Sequence, residues 1–189
     1  MPRAALIALL LLAALPAAAR ADRQMDPELR GVLADALQPA DCFADRYERA
    51  VSFAFIEPRL SRYVKDGQER EQILHHVHCE ARRVDVPPEL VLAVMDVESR
   101  FDRYAVSSAG AVGLMQVMPF WPGELGMSNE QLIRIPDNVR MGTTILGYYL
   151  RKERGNYQRA LQRYNGSLGR PHYSDLVIDR LASRWTVAN

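Results

Sequence analysis

Apolar residues recur every three to four positions over most of the chain, which is the spacing of an amphipathic α-helix. Between residues 43 and 84 this spacing predicts two helices. The first carries Phe43, Tyr47, Val51, Phe55, Leu60 and Tyr63 and is interrupted at Glu57-Pro58. The second extends from Gln68 to Val84 through Ile73, Leu74 and Val77. We expect both helices to pack outside the core of a larger part of the chain.

Asp85 to Pro88 is the best internal boundary, because prolines stop one helix and can start the next. Beyond it the pattern predicts a helix from Glu89 to Phe101, a small-residue loop from Ala105 to Gly113, and a segment from Leu114 to Met118 ended by Pro119. Three further helices are predicted: Asn138 to Arg151, Tyr157 to Tyr164, and a last helix through Tyr173, Leu176, Val177 and Leu181, closed by Trp185. Long alternating strands are missing, so the predicted fold class is mainly α. We divide the chain into residues 1–21, an N-terminal helical extension of residues 22–84, and a main domain of residues 85–189.

The first 21 residues have the pattern of a secretory signal peptide. Arg3 precedes an apolar run from Ala4 to Leu15, and small residues follow up to Ala21. This run is too short to cross a bilayer, which requires about 20 apolar residues. We expect cleavage after Ala21 and export of the remaining chain, with no stable membrane insertion, because no later segment is both long and apolar.

The charge balance argues against a dedicated nucleic-acid binder, because 24 Lys and Arg residues face 23 Asp and Glu residues. The charges are unevenly distributed, however. Residues 134–184 contain ten basic and four acidic residues, whereas residues 22–133 contain twelve basic and nineteen acidic ones. The basic part either faces an anionic polymer or forms the solvated sides of its helices, and solvated sides are the commoner case.

Export also decides how we interpret the cysteines. Cys42 and Cys79 are the only pair in the chain, and two cysteines in one exported domain most often form a disulfide. The alternative is a metal site, because His75, His76 and His78 stand next to Cys79. No second pair of ligands follows at the spacing of a zinc finger. We therefore predict a Cys42–Cys79 disulfide, no metal and no cofactor.

The predicted helix from Glu89 to Phe101 places a carboxylate among apolar side chains. A helix turns about 100° per residue, so Val91 and Val94 lie within about 40° of Glu98. Asp96 lies about 160° away, where we expect it to be solvated. A buried carboxyl keeps its proton to higher pH, which makes Glu98 a candidate general acid. The alternative is a structural glutamate paired with an arginine.

Three ordered motifs then give the sequence a family resemblance. They are Glu98-Ser99-Arg100-Phe101 continued through Ala105-Val106-Ser107 to Gly110-Ala111-Val112-Gly113-Leu114-Met115-Gln116-Val117-Met118-Pro119, then Asn138-Val139-x-x-Gly142, and finally Ala160-Leu161-x-x-Tyr164-Asn165. With these motifs, residues 86–186 resemble the soluble lytic transglycosylases of the lysozyme-like superfamily. The third motif departs from the family, because Gly166-Ser167 stands in place of the usual Ala-Gly and Arg163 precedes the tyrosine.

The resemblance implies a lysozyme-like helical fold and a reaction on the glycan strands of peptidoglycan. In this family the bond between N-acetylmuramic acid and N-acetylglucosamine is cleaved with formation of a 1,6-anhydro ring. By position in the motifs, Glu98 would be the catalytic acid and base. The residues that would bind substrate are Ser107, Gln116, Met118, Asn138, Tyr164 and Asn165. An exported enzyme with this substrate is expected in the periplasm.

Several of these residues also have a purely structural interpretation. Ser107 either contacts Glu98 or closes a turn. Met115 and Met118 flank a sugar pocket or pack in the core. Trp121 is a sugar platform or, in our preferred interpretation, a core or lid residue.

Most glycosidases need two carboxylates, and this sequence places no clear partner for Glu98. A reaction in which the acetamido group of the substrate assists and its own C6 hydroxyl attacks C1 needs only one. The first alternative is a hydrolytic lysozyme-like muramidase that uses Asp102 or a loop carboxylate. The second is a non-catalytic adaptor that binds peptidoglycan during envelope assembly. A transglycosylase dedicated to a secretion or pilus machine is a related alternative, for which the sequence gives no argument either way.

Overall fold

The computed structural model describes residues 26–37 and 54–186 of the protein. These residues are mainly helical, as predicted. The predicted signal peptide, residues 1–21, lies outside the described residues, as do Phe43, Tyr47 and Val51 of the first predicted helix. Cys42 of the predicted disulfide lies outside them as well.

Seven α-helices are defined in the described part of the chain. They are α1 (Pro27–Ala36), α2 (Gly67–Arg83), α3 (Pro88–Glu98), α4 (Phe120–Glu124), α5 (Ile135–Lys152), α6 (Tyr157–Asn165) and α7 (His172–Arg180). A 3-10 helix spans Asn129–Ile133, a π-helical turn spans Leu181–Trp185, and residues 54–60 are also helical. None of the described helices is long and apolar enough to span a membrane.

The proline-rich boundary separates two helices as predicted, since α2 ends at Arg83 and α3 begins at Pro88. The interruption predicted at Glu57-Pro58 is wrong, because residues 54–60 are helical without a break. Ile56 and Leu60 are both buried in the core, and this packing outweighs the hydrogen bond that a proline cannot donate.

The apolar core is organised around α5 and α3. α5 contacts α1, α2 and α6, and α3 contacts α2 and α7. Every residue of α3 from Leu90 to Asp96 is buried. α3 therefore crosses the interior of the molecule, and only its C-terminal end reaches a cleft.

Asp96 is buried, so the prediction that it is solvated is wrong. Its side chain is covered by the C-terminal segment: Arg184 approaches Oδ2 at 3.2 Å, and the indole N–H of Trp185 donates to the same oxygen at 3.2 Å. A buried carboxylate requires such partners. The assumption that α3 has a solvent side failed, because elements distant in sequence cover it on all sides.

Candidate active site

A cleft of about 250 Å³ lies at the C-terminal end of α3. Its walls come from the loop between α3 and α4, from α4, from the second half of α5, and from the C-terminal half of α6. Glu98 lines this cleft together with five of the six residues predicted to bind substrate: Ser107, Gln116, Met118, Tyr164 and Asn165. The structure therefore brings together residues from the first and third sequence motifs.

Glu98 is held at a sharp helix end. It is the last residue of α3, three residues before the helix end predicted at Phe101. Arg100 and Phe101 then adopt left-handed backbone, with φ values of 53° and 66°. The Ser99 hydroxyl donates to the Leu114 carbonyl at 2.8 Å. This bond ties the end of α3 to the loop that forms one wall of the cleft.

The environment of Glu98 favours its protonated form. Burial raises the pKa of this carboxyl from 4.5 to about 7. Oε1 accepts a hydrogen bond from the Tyr173 hydroxyl at 2.6 Å, which stabilises the carboxylate and limits the rise. Within the described residues no arginine pairs with Glu98, so the structural ion pair does not form there. Glu98 can therefore hold a proton near neutral pH and release it to a neighbouring oxygen.

Two tyrosine hydroxyls lie deep beside Glu98. Tyr164, on α6, donates to the Met115 carbonyl at 2.7 Å, whereas Tyr173, on α7, donates to Glu98 itself. Burial raises the pKa of both phenols well above the usual value, and the charge of Glu98 raises it further. Both tyrosines therefore stay protonated and serve as hydrogen-bond donors.

Asn138 differs from the other predicted substrate-binding residues, because it lies below the cleft and does not line it. Its side chain is almost fully buried, and Oδ1 accepts from the Met115 N–H at 2.8 Å. Nδ2 donates to the carbonyls of Val112 and Leu132 at 2.9 and 2.8 Å. Both N–H groups are thus used by the backbone. In this structure Asn138 positions the loop, and its predicted role in substrate binding stays a prediction.

Two motif glycines permit this close packing. Gly113 has a φ of +81°, and a Cβ there would lie 2.3 Å from Nδ2 of Asn138. A Cβ at Gly142 would lie 2.5 Å from Cβ of Met115. Met115 is fully buried, so it packs in the core and does not flank a sugar pocket.

Ser107 and Gln116 combine a structural position with an exposed polar group. The Ser107 hydroxyl oxygen accepts from the Ala111 N–H at 3.0 Å, which closes a turn, and Ser107 also lines the cleft. Nε2 of Gln116 donates to the carbonyls of Ala105 and Gly113 at 3.1 and 3.0 Å. Gln116 also lines the cleft.

The remaining predicted residues form the outer walls. Met118 and Trp121 line the cleft and also pack against the core, and Trp121 is 7% exposed. Asn165 is exposed at the end of α6. The departure from the third motif has a local cause, because Gly166 caps α6 in the left-handed conformation at a φ of +71°.

Sequence reasoning missed Tyr173 as the hydrogen-bond partner of Glu98 and Asp26 as a cleft residue. Tyr173 shares the apolar spacing of the last helix, so nothing in the sequence distinguishes it from a core residue. Asp26 precedes α1 and lines the far part of the cleft. Its Oδ2 accepts from Lys152 Nζ at 2.6 Å and from the Tyr148 hydroxyl at 2.5 Å. No local pattern predicts a pairing across more than 120 residues.

The histidine and cysteine segment lies on α2 and contributes nothing to the cleft lining. Cys79 is buried, and its disulfide with Cys42 stays a prediction because Cys42 lies outside the described residues. Within residues 26–37 and 54–186, no group of three His, Cys, Asp or Glu side chains is arranged to hold a metal ion.

Part of the chain is similar in sequence to known proteins. The model of the transglycosylase SLT domain family matches residues 77–173. The membrane-bound lytic murein transglycosylase C of Actinobacillus pleuropneumoniae serotype 5b (strain L20) is 52% identical over 48 residues, which cover 25% of this chain and 13% of that protein. The protein of the same description from Yersinia pestis (strain Pestoides F) is 33% identical over 109 residues, covering 49% of this chain and 30% of that protein.

Among solved structures, an inactive variant of the lytic transglycosylase Slt from Pseudomonas aeruginosa aligns with a TM-score of 0.48 at 24% identity. The alignment covers 85% of this chain and 28% of that chain. The chain thus matches less than a third of the length of each of these relatives.

Proposed function

The chain belongs to the transglycosylase SLT domain family, and from this premise we propose that it is a lytic transglycosylase of peptidoglycan. The proposed reaction cleaves the β-1,4 bond between N-acetylmuramic acid and N-acetylglucosamine. The observation that carries the proposal is Glu98, a carboxyl enclosed in the cleft whose pKa burial raises to about 7. The proposed location is the periplasm, reached through the signal peptide of residues 1–21, because the substrate lies outside the cytoplasmic membrane.

In the first step Glu98 acts as a general acid. Its protonated carboxyl donates a proton to the glycosidic oxygen, and the bond between C1 of the muramyl residue and that oxygen breaks. The acetamido group of the same residue assists this departure by donating electrons to C1. The leaving sugar takes the proton and departs with a free C4 hydroxyl.

In the second step Glu98 acts as a general base. Its carboxylate removes the proton of the C6 hydroxyl while O6 attacks C1 and displaces the acetamido oxygen, which takes back its electron pair; this closes the 1,6-anhydro ring and restores the acid. No water is consumed. Intramolecular attack of this kind reaches effective molarities of about 10⁵ to 10⁸ M, so an oriented C6 hydroxyl can outcompete water.

The surroundings of the cleft support a mechanism with a single carboxylate. Asp102, the candidate partner in a hydrolytic reaction, is exposed, does not line the cleft, and accepts a hydrogen bond from the Tyr104 N–H at 2.8 Å. Asp26 lines the cleft but is bound to Lys152 and Tyr148. Because Asp102 does not line the cleft and Asp26 is paired with Lys152, we assign neither the role of the second carboxylate of an ordinary glycosidase.

Product analysis tests the proposal. Purified peptidoglycan is digested with the protein, and the released muropeptides are weighed by mass spectrometry. We expect products ending in 1,6-anhydro-N-acetylmuramic acid. Products heavier by one water would instead establish a hydrolytic muramidase.

The Glu98→Gln variant tests the role of the carboxyl. Because the amide cannot transfer a proton, this variant should release no fragments while still binding glycan strands. If Glu98→Gln keeps its turnover, both the transglycosylase and the muramidase mechanisms through Glu98 are wrong. If the unaltered protein binds strands and releases nothing, the non-catalytic adaptor is the correct alternative.

A further inference from the structure

Arg163 is the one cation among the described residues that line the cleft. The other charged lining residues are Asp26, which is held by Lys152, and Glu98, which keeps its proton near neutral pH. Arg163 directly precedes Tyr164 on α6, at the position where the sequence departs from the family motif. The departure therefore brings a positive charge into the cleft.

The binding state of Arg163 leaves its terminal nitrogens available. Nε of Arg163 donates to Oε1 of Glu153, the residue that follows α5. Within residues 26–37 and 54–186, neither terminal nitrogen has a hydrogen-bond partner. The Arg163 side chain is 29% exposed, and the residue lines the cleft.

The carboxylate of Glu153 does not neutralise this site, because two arginines share it. Arg159, one helical turn earlier, donates its Nε to Oε2 of Glu153 at 2.5 Å. Two guanidinium groups thus stand against one carboxylate, and the cluster keeps a net charge of +1. Arg159 is 54% exposed and does not line the cleft. Arg163 is therefore the member of the cluster that meets a ligand.

Building on the proposed function, we propose that Arg163 is a specificity-determining residue that binds a carboxylate carried on the lactyl side of the muramyl sugar. The planar guanidinium presents paired N–H donors that match the geometry of a carboxylate. The substrate offers such a group in two forms. Where the peptide has been removed, the lactyl group ends in a free carboxylate; where a stem peptide is attached, the peptide supplies carboxylates of its own.

Binding measurements in the Glu98→Gln background test the inference without turnover. Three ligands are compared by calorimetry: peptide-free glycan strands, peptide-bearing strands, and a chitin oligosaccharide, which has no carboxylate. Arg163→Gln should weaken the binding of peptide-free strands about tenfold, as expected for the loss of a hydrogen bond to a charged group, and should leave chitin binding unchanged. A weakening seen with peptide-bearing strands alone would assign the bound carboxylate to the peptide.

Arg159→Gln is the matched control, because it removes the same charge and the same Glu153 partner outside the cleft. It should weaken strand binding much less than Arg163→Gln does, because the guanidinium that lines the cleft stays in place, and it should leave chitin binding unchanged. Arg163→Lys should restore part of the lost affinity, since it keeps the charge and loses the paired donors. The inference is overturned if Arg163→Gln and Arg159→Gln behave alike, or if chitin binding falls as much as strand binding. Release of anhydro products by the unaltered protein would leave the proposed function standing in that case.

Discussion

The hydrogen bond from Tyr173 to Glu98 sets the proton affinity of the proposed acid. Burial raises the pKa of Glu98, this bond limits the rise by stabilising the carboxylate, and the pKa with both effects is about 7. Removing the hydroxyl with Tyr173→Phe should raise the pKa of Glu98 further. The alkaline limb of the pH profile of kcat/KM should then move to higher pH, because the acid form persists longer.

Tyr164→Phe serves as the control for this shift. Tyr164 also lies beside Glu98, but its hydroxyl donates to the Met115 carbonyl. We expect Tyr164→Phe to lower the rate while leaving the alkaline limb in place. An unmoved alkaline limb in Tyr173→Phe would mean that the limb reports a group other than Glu98.

The same pKa predicts a cost in stability. Glu98 ionises near pH 4.5 in the unfolded chain and near pH 7 in the folded protein, so folding favours the protonated form. The protonated Glu98 carboxyl makes its full contribution to the free energy of unfolding below about pH 4.5, and this contribution is lost as the pH rises through about 7. Glu98→Gln, which cannot ionise, should therefore gain stability relative to the unaltered protein between pH 5 and pH 8, by at most about 3 kcal/mol. Thermal unfolding of both proteins at pH 5 and pH 8 measures this gain. If the difference between their melting temperatures is the same at both pH values, the Glu98 carboxyl ionises in the folded protein as it does in the unfolded chain.

The sequence located Glu98 but could not locate its partner. The apolar neighbours of Glu98 on α3 follow from helical spacing alone. Tyr173 acts from 75 positions further along the chain, and its own spacing is that of a core residue. The motif of Asn138 predicts a ligand contact, which stays a prediction, but it does not predict that the Asn138 amide holds a loop through hydrogen bonds to its backbone.

At the scale of elements, the cleft depends on how closely α5 approaches the loop between α3 and α4. Gly142→Ala would place a methyl group 2.5 Å from Cβ of Met115, whose carbonyl accepts the hydrogen bond of Tyr164. Overpacking of this kind costs about 1–3 kcal/mol, and the shift of Met115 should lower activity as well. Chemical denaturation and the muropeptide assay measure the two effects.

Gly31→Ala is the helix control, because no atom lies within 4 Å of its new methyl group. In α1 this change should leave the free energy of unfolding unchanged or raise it by about 0.5–1 kcal/mol, and activity should not fall. Equal behaviour of the two variants would show that the contact between Gly142 and Met115 does not constrain the loop.

The long helices were predictable because their apolar spacing extends over several turns. The apolar spacing predicts neither α1 nor α4. For α4 the reason is that it is a five-residue helix containing Pro122 and Gly123, which local rules assign to turns. The apolar spacing predicts the end of α3 three residues too late. Apolar spacing continues to Phe101, while the hydrogen bond from Ser99 to Leu114 and the left-handed backbone end the helix at Glu98.

At the scale of the whole molecule, the elements before residue 85 share one apolar core with those after it. Leu29 and Leu33 of α1 are almost fully buried, and so are Ile73 and Val77 of α2. Sequence patterns identify these residues as apolar but cannot say which helix they cover. The division at residue 85 stays a prediction about folding units, and it can be tested directly.

We expect residues 85–189 not to fold on their own. Removing α2 would uncover α5 and leave Arg140 without the carboxylate of Glu80, to which its Nε donates at 2.8 Å. Each buried Ile, Leu or Val side chain contributes about 1.5–3 kcal/mol, so the loss of Ile73, Leu74 and Val77 alone approaches the 5–15 kcal/mol that stabilise a typical domain. Thermal unfolding followed by circular dichroism should show a cooperative transition for residues 22–189 and no cooperative transition for residues 85–189. A cooperative melt of the shorter chain would instead establish residues 22–84 as an extension that the main domain does not need.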